Sequence, residues 1–119
     1  MPLWEVTPAQ WEWIFGVNVQ GVINGIRTLV PRMRKHGEAG HVVNTASIGG
    51  LQVNPKLRNG SYAMTKYAIV ALSEALALDL EGGAIGASVL CPRPRRHDAS
   101  CLVAATPGAV GRTLRTTRR

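Results

Sequence analysis

The chain has 119 residues, a length that suits one domain, and carries a formal net charge of +7. Residues 1–92 contain seven Lys and Arg against six Asp and Glu, whereas residues 93–119 contain seven Arg against one Asp. The excess charge therefore lies almost entirely in the last segment, and no run of about eighteen apolar residues is present to cross a membrane.

A long helix is predicted over residues 8–35. Thr7 can cap its start, a proline suits its first position, and Gln10 completes a Thr-x-x-Gln capping box. Pro31 should kink the helix because its ring removes one backbone hydrogen bond. Gly37 then supplies a stop.

A strand–helix–strand unit follows this helix. Residues 41–47 and 86–91 are short apolar runs typical of buried strands, and residues 61–81 between them have an apolar helical pattern. This strand–helix–strand pattern predicts that the two strands are parallel and adjacent or nearly so, and such crossovers are right-handed in nearly all cases. The predicted fold class is α/β.

Tyr62 and Lys66 point most directly to a chemistry. They stand four residues apart at the start of the predicted helix, so their side chains share one face. A nearby ammonium favours the ionised form of a phenol, and such a tyrosine can pass a proton to or from a substrate oxygen. Ser47 ends the preceding strand, and its hydroxyl can hold that same oxygen. Since open α/β sheets bind ligands at the carboxyl ends of their strands, the three residues predict an active site.

Each of these residues also has a structural interpretation. An isolated Tyr-x-x-x-Lys pair is usually a helix pair with a solvated lysine, and Ser47 alone would be a turn residue at a strand end. Asn18, in the first helix, would on its own be a residue that bonds locally to the backbone.

Four stretches decide between these interpretations, because together they resemble the short-chain dehydrogenase/reductase family in order and nearly in spacing. They are Val17-Asn18-Val19-Gln20-Gly21, Val43-Asn44-Thr45-Ala46-Ser47, Tyr62-Ala63-Met64-Thr65-Lys66 and Val89-Leu90-Cys91-Pro92. The resemblance covers roughly residues 3–92, although the interval from Ser47 to Tyr62 is a residue or two longer than is usual in the family.

The resemblance implies a role for each matching residue. Tyr62 would be the general acid and base, and Lys66 would favour its ionised form and bind the nicotinamide ribose. Ser47 would orient the substrate carbonyl or alcohol. Asn18 would hold a water that links Lys66 to solvent. Pro92 would contact the nicotinamide side of the cofactor, so the implied cofactor-binding residues are Tyr62, Lys66 and Pro92, with no metal.

The implied cofactor is NAD or NADP, but its pyrophosphate site has no counterpart in the sequence. The family begins with a strand and a glycine-rich turn, whose backbone approaches the pyrophosphate. No Thr-Gly-x-x-x-Gly-x-Gly stretch occurs in these 119 residues. The resemblance therefore implies an incomplete Rossmann-like parallel sheet with flanking helices, the C-terminal part of a doubly wound domain. The chain alone is predicted to be inactive.

The chain is predicted to divide into a partial dehydrogenase domain, residues 1–92, and a basic tail, residues 93–119. The tail holds no aromatic residue and scattered Pro and Gly, so it is predicted to be disordered. Its all-arginine basic complement fits GC-rich DNA read in a shifted frame. The competing interpretation is an arm that binds nucleic acid or an acidic surface.

The leading functional prediction is an NAD(P)-dependent oxidoreductase acting on a small carbonyl or secondary alcohol. The alternative is an inactive remnant that acts only as a helix-mediated interaction module. Helix 61–81 is apolar nearly all round and needs cover on all sides. In the family the helices matching 8–35 and 61–81 often form a subunit interface, so a homo-oligomer is predicted.

Two cysteines without a disulfide framework suit a reducing, cytoplasmic location.

Overall fold

The computed structural model describes the backbone of residues 1–92, 101–105 and 113–116, and the side chains of residues 1–92. Three helices and four strands lie within these ranges. In chain order the elements are a 3-10 turn Leu3–Glu5, α1 Pro8–Phe15, a π-helical segment Gly16–Gln20, α2 Gly21–His36, β1 Gly40–Thr45, a 3-10 turn Ile48–Gly50, α3 Gly60–Asp79, β2 Ile85–Cys91, β3 Cys101–Ala105 and β4 Thr113–Thr116.

The predicted capping box at the start of α1 is confirmed. The Thr7 backbone N–H donates to Gln10 Oε1 at 2.9 Å, and the Gln10 backbone N–H donates to Thr7 Oγ1 at 3.3 Å. The helical path then runs without a gap through the π-helical segment and α2, and it ends at Gly37, whose φ of 73° is left-handed. A glycine adopts this conformation without the steric cost that a side chain brings.

The predicted helix contains one departure from regular α-helical hydrogen bonding, and the kink predicted at Pro31 stays a prediction. Pro31 lies inside α2, and the helix continues beyond it to His36. The change in hydrogen bonding occurs earlier, over Gly16–Gln20, where the Gly21 N–H donates to the Gly16 carbonyl five residues back. Asn18 is at the centre of this segment. Short π-helical segments are frequent at functional sites.

The parallel pairing of the two predicted strands is confirmed. β1 and β2 are adjacent, in register from Gly40 opposite Ile85 to Thr45 opposite Leu90, and α3 connects them. β1 ends two residues before the predicted boundary. Ser47 therefore lies in the loop that follows the strand, where it caps the turn Ile48–Gly50.

The sheet continues beyond β2. β3 pairs antiparallel with β2, and β4 pairs antiparallel with β3, so the strand order is β1-β2-β3-β4. The sequence predicts residues 93–119 to be mostly disordered, and β3 and β4 are the parts of that segment that the structure describes. The rest of that segment lies outside the described residues, and the division at residue 92 stays a prediction.

The core lies between one face of the sheet and the helices α2 and α3. One buried cluster joins the end of α3 to the start of β2 and to α2, and a second joins the middle of α3 to the carboxyl ends of β1 and β2. Their buried members are Val30, Leu76, Ala77, Leu80, Ile85 and Ala87 in the first and Ala46, Ile69, Val70, Val89 and Cys91 in the second.

The other face of β1 is open within the described residues. Successive strand residues face opposite sides, and Val42 packs into the core while Val43 is 55% exposed. On this open face His41 Nε2 lies 2.8 Å from Ser88 Oγ, which links β1 to β2. None of the described helices is long and apolar enough to cross a membrane.

Candidate active site

The turn after β1 is attached to the end of β2. The Ala46 N–H donates to the Leu90 carbonyl at 2.8 Å, and the Ile48 N–H donates to the Pro92 carbonyl at 3.0 Å. Ser47 lies between these two bonds. Its hydroxyl oxygen accepts a hydrogen bond from the Gly49 N–H at 3.2 Å. Ser47 is therefore a turn residue, as one interpretation of the sequence predicted, and it also lies near Pro92.

Gly50 allows the same turn to pack directly on α3. It is buried, and a Cβ atom at this position would lie 2.6 Å from the Lys66 carbonyl oxygen, which is closer than real Cβ contacts. A side chain at position 50 would therefore push the turn away from α3. The glycine brings the loop that carries Ser47 against the helical turn that carries Lys66.

Tyr62 and Ser47 face one common space beside Gly49. A Cβ atom built on Gly49 would lie 3.6 Å from Tyr62 Cε1 and 3.7 Å from Ser47 Oγ. Both residues are half-buried, so the space between them has access to solvent and to a ligand. The Tyr62 ring and the Ser47 hydroxyl therefore both lie within van der Waals range of one point beside Gly49.

Lys66 lies on the face of α3 that Tyr62 occupies. Its ammonium nitrogen is 5.4 Å from the centroid of the Tyr62 ring, which is within the range of a cation–π contact. The ammonium is therefore the positive group nearest to the phenol along this helix face.

Asn18 reaches this part of α3 through a residue that the sequence did not single out. Its Nδ2 atom donates to Thr65 Oγ1 at 3.0 Å, and the Thr65 hydroxyl donates to the Tyr62 carbonyl at 2.7 Å. Thr65 is fully buried. The π-helical segment is thus linked to the first turn of α3 by two consecutive hydrogen bonds.

The structure brings Ser47, Tyr62 and Lys66 together and holds Asn18 against the same turn of α3. Pro92 follows the carboxyl end of β2 and is exposed. Sequence reasoning missed Thr65 and Gly49. The signal for Thr65 was its place between Tyr62 and Lys66, since a helical threonine commonly donates to a carbonyl three or four residues back.

The described residues fit one part of a nicotinamide cofactor and not another. The Lys66 ammonium and the Tyr62 phenol are polar groups suited to the ribose and nicotinamide side. No glycine-rich turn leads from a described strand into a helix; α3 instead begins after Asn59, which makes no side-chain cap. A pyrophosphate cradle is thus absent from residues 1–92. These residues also contain no cluster of three His, Cys, Asp or Glu side chains able to hold a metal.

Sequence comparison with known proteins finds dehydrogenases and oxidoreductases. A sequence profile described as short chain dehydrogenase matches residues 1–100. An uncharacterized NAD-dependent oxidoreductase of Mycobacterium tuberculosis is 44% identical over 78 residues, which is 66% of this chain and 28% of the relative. The C alpha-dehydrogenase of a Sphingobium species is 41% identical over 91 residues, which is 76% of this chain and 29% of the relative.

Solved structures agree with the sequence comparison. The apo form of LigO from Sphingobium sp. strain SYK-6 is 40% identical with a TM-score of 0.73, covering 79% of this chain and 34% of that one. A short-chain dehydrogenase/reductase from Burkholderia phymatum in complex with NAD is 46% identical with a TM-score of 0.71. The match covers 76% of this chain and 32% of that one. The chain thus spans about a third of the length of these relatives.

Proposed function

Because this chain belongs to the short-chain dehydrogenase family, we propose that it carries the proton-transfer part of an NAD(P)-dependent oxidoreductase. The substrate class is a small carbonyl compound or the matching secondary alcohol. The observation that carries the proposal is the meeting of Tyr62 and Ser47 at one space beside Gly49, with the Lys66 ammonium over the Tyr62 ring.

In the reducing direction the Tyr62 phenol donates its proton to the carbonyl oxygen of the substrate. The Ser47 hydroxyl donates a hydrogen bond to the same oxygen and fixes its position between the two groups. The phenolate that remains is stabilised by the Lys66 ammonium. A bound nicotinamide supplies the hydride in this direction and accepts it in the other. In the oxidising direction the phenolate takes the alcohol proton.

Asn18 would complete the proton path by holding a water between Lys66 and solvent. Its amide nitrogen donates to Thr65, so an oxygen atom of Asn18 is the group that would accept a hydrogen bond from that water. Thr65 fixes Asn18 relative to α3. It is a positioning residue in this proposal, because it acts through Asn18 and through the Tyr62 backbone.

The proposed cofactor-binding residues are Tyr62, Lys66 and Pro92. The names of two relatives specify NAD, which makes NAD the first cofactor to test, with NADP beside it. Residues 1–92 lack a pyrophosphate cradle. Holding the reacting atoms in a near-attack geometry can contribute about 7–11 kcal/mol to lowering a barrier, and the three site residues cannot supply it without a held cofactor.

We therefore expect that the 119-residue chain alone binds NAD(H) and NADP(H) weakly or not at all and shows no turnover. Isothermal titration with each cofactor checks the first statement, and a panel of ketones and secondary alcohols checks the second. Micromolar binding, or turnover that Tyr62→Phe abolishes, would show that the isolated chain is an enzyme in its own right.

The proton-transfer role itself needs a background that holds the cofactor. A chimaera in which residues 3–92 replace the matching part of the NAD-bound Burkholderia phymatum relative provides one. We expect this chimaera to turn over, and Tyr62→Phe to lower kcat at least about a hundredfold, since general acid–base groups contribute roughly that much or more. Tyr67→Phe is the matched control, because it removes a phenol oxygen from the same helix.

The control should leave kcat unchanged. If Tyr62→Phe and Tyr67→Phe had equal effects on an active chimaera, the role proposed for Tyr62 would be refuted.

A second proposal concerns assembly. The exposed apolar side chains of the described residues include several on the helices predicted to form a subunit interface. They are Trp13 and Phe15 on α1, Leu29 on α2, and Met64, Tyr67 and Leu78 on α3. This surface supports a homo-oligomer through these helices, and it equally supports the alternative function of an interaction module without catalysis.

A further inference from the structure

The two cysteines of the chain occupy opposite positions on neighbouring strands. Cys91 is the last residue of β2, Cys101 is the first residue of β3, and the antiparallel register pairs their Cα atoms. The sequence contains no other cysteine. The next pair along the same ladder is Leu90 with Leu102, so the two cysteines share a single rung of the backbone register.

This register satisfies the backbone requirement for a disulfide. Directly opposite residues of an antiparallel pair have Cα atoms about 4.5 or about 5.5 Å apart, depending on the type of rung. Disulfide-linked residues have Cα atoms roughly 4.4–6.8 Å apart. Both types of rung fall within that range, so the two cysteines can be joined with little movement of the strands.

We propose that Cys91 and Cys101 form a reversible intrachain disulfide when a thiol oxidant is present. This site is independent of the proposed enzyme function. With oxidised glutathione as the oxidant, the Cys101 thiolate attacks one sulfur of the glutathione disulfide and releases one reduced glutathione. Cys91 then attacks the mixed disulfide and releases the second. Two thiols lose two protons and two electrons, and one glutathione disulfide gains them.

The order of the two steps follows from burial. Cys91 has no exposed surface, so a molecule as large as glutathione cannot reach it directly. The first attack is therefore assigned to Cys101, the residue paired with Cys91 in the register of β2 and β3. The bond would fix β3 to β2 at the position just before Pro92, and it would enclose residues 92–100 in a covalent loop.

The test is a redox titration of the full chain. The protein is equilibrated in glutathione buffers of increasing oxidised fraction, its remaining thiols are blocked with iodoacetamide, and its mass is measured. We expect a form that has lost two hydrogen masses and takes no blocking group, with a proteolytic peptide that joins Cys91 to Cys101. The ratio of this form to the dithiol, multiplied by the squared concentration of reduced glutathione and divided by that of oxidised glutathione, gives the effective concentration of the two thiols.

Two controls distinguish a high effective concentration that is due to strand pairing from one that is due only to the short sequence separation of the two cysteines. In concentrated urea the rung is lost, and the effective concentration should fall on the order of tenfold or more. The double variant Cys101→Ser with Leu102→Cys moves the thiol by one residue, to the position opposite Leu90. Since successive strand residues face opposite sides, its native effective concentration should fall by a similar factor, while its value in urea stays that of the parent.

The proposal is overturned if the parent chain yields only glutathione adducts or disulfides between chains. It is also overturned if the parent has the same effective concentration with and without urea, or if the displaced thiol of the double variant pairs as readily as Cys101.

Discussion

Thr65 shows how much of the site depends on a residue with no place in the proposed reaction. One hydroxyl group accepts from the Asn18 amide and donates to the Tyr62 carbonyl, and the side chain is completely buried. A buried polar group that loses its partner keeps the full cost of its desolvation. Removing this hydroxyl therefore takes a hydrogen-bond partner from both the Asn18 amide and the Tyr62 carbonyl.

We expect Thr65→Val to lower the free energy of unfolding by about 0.5–1.5 kcal/mol, the net contribution of an ordinary hydrogen bond, because the half-buried Asn18 amide would lose its acceptor. Valine keeps the shape of the side chain, so the loss reports the hydroxyl alone. Urea denaturation of the chain measures it. Thr65→Ser keeps the hydroxyl and should retain more of the stability. Equal unfolding free energies for the two variants would contradict the importance of this bond.

The Tyr62–Lys66 contact could be predicted from the sequence, whereas the Asn18–Thr65 bond could not. A spacing of four residues places two side chains on one helix face whatever the rest of the fold does. The bond from Asn18 instead joins positions 47 residues apart, and it depends on how α3 and the π-helical segment approach each other. Such an approach is a property of packing, which a local pattern does not contain.

At the scale of elements, the turn Ile48–Gly50 determines how the site is assembled. It is held to β2 by the bond from Ile48 to Pro92 and packs against α3 at Lys66. Its two glycines have different surroundings. At Gly50 a side chain would meet backbone, whereas at Gly49 it would make ordinary contacts with Tyr62 and Ser47.

Gly50→Ala should destabilise the chain by about 1–3 kcal/mol, the usual cost of an added group in a tightly packed place. The new methyl group cannot be accommodated by a side-chain movement, because the Lys66 carbonyl belongs to the helix backbone. Thermal or urea unfolding checks this expectation.

Gly49→Ala is the matched comparison. Its stability should stay near that of the parent, and its methyl group should occupy the space that Tyr62 and Ser47 share. In the active chimaera it should therefore lower turnover while Gly50→Ala lowers stability. A Gly50→Ala variant as stable as the parent would mean that the turn and α3 are not in close contact.

The strands and α3 followed from hydrophobic pattern, but the π-helical segment did not. Apolar runs bounded by glycine gave β1 and β2 to within one or two residues at each end. A π-helical segment inserts its extra residue without any special composition. Gly16–Gln20 contains no proline, and the only irregularity that the sequence predicts in this helix is a kink at Pro31, farther along in α2.

At the scale of the whole molecule, the main open question is what covers the apolar side chains that the described helices expose to solvent. Tyr67 on α3 is 40% exposed, and it lies on a helix whose other side already covers the sheet. The sequence predicted that this helix needs packing partners on all sides, because the helix is apolar nearly all round. It did not predict β3 and β4, because an arginine-rich segment with scattered proline and glycine has little local signal for strands.

We expect the chain to form a homo-oligomer in solution, and Tyr67→Glu to shift it toward the monomer, because a buried charge without a partner is costly. Size-exclusion chromatography with light scattering gives the mass. Leu57→Glu is the control, since Leu57 is 61% exposed and lies in the loop before α3. A monomeric parent, or an equal effect of both substitutions, would contradict an interface on α3.

The π-helical segment also separates the rotational phase of α1 from that of α2. Each residue of an α-helix advances by about 100° around the axis, so one additional residue in a turn offsets everything before it by that angle. The side chains of α1 are therefore offset around the helix axis from Asn18 and from the side chains of α2. If the same residues instead formed a regular α-helical turn, α1 would be turned about the helix axis by more than a quarter of a revolution relative to α2, while every side chain in it stayed the same.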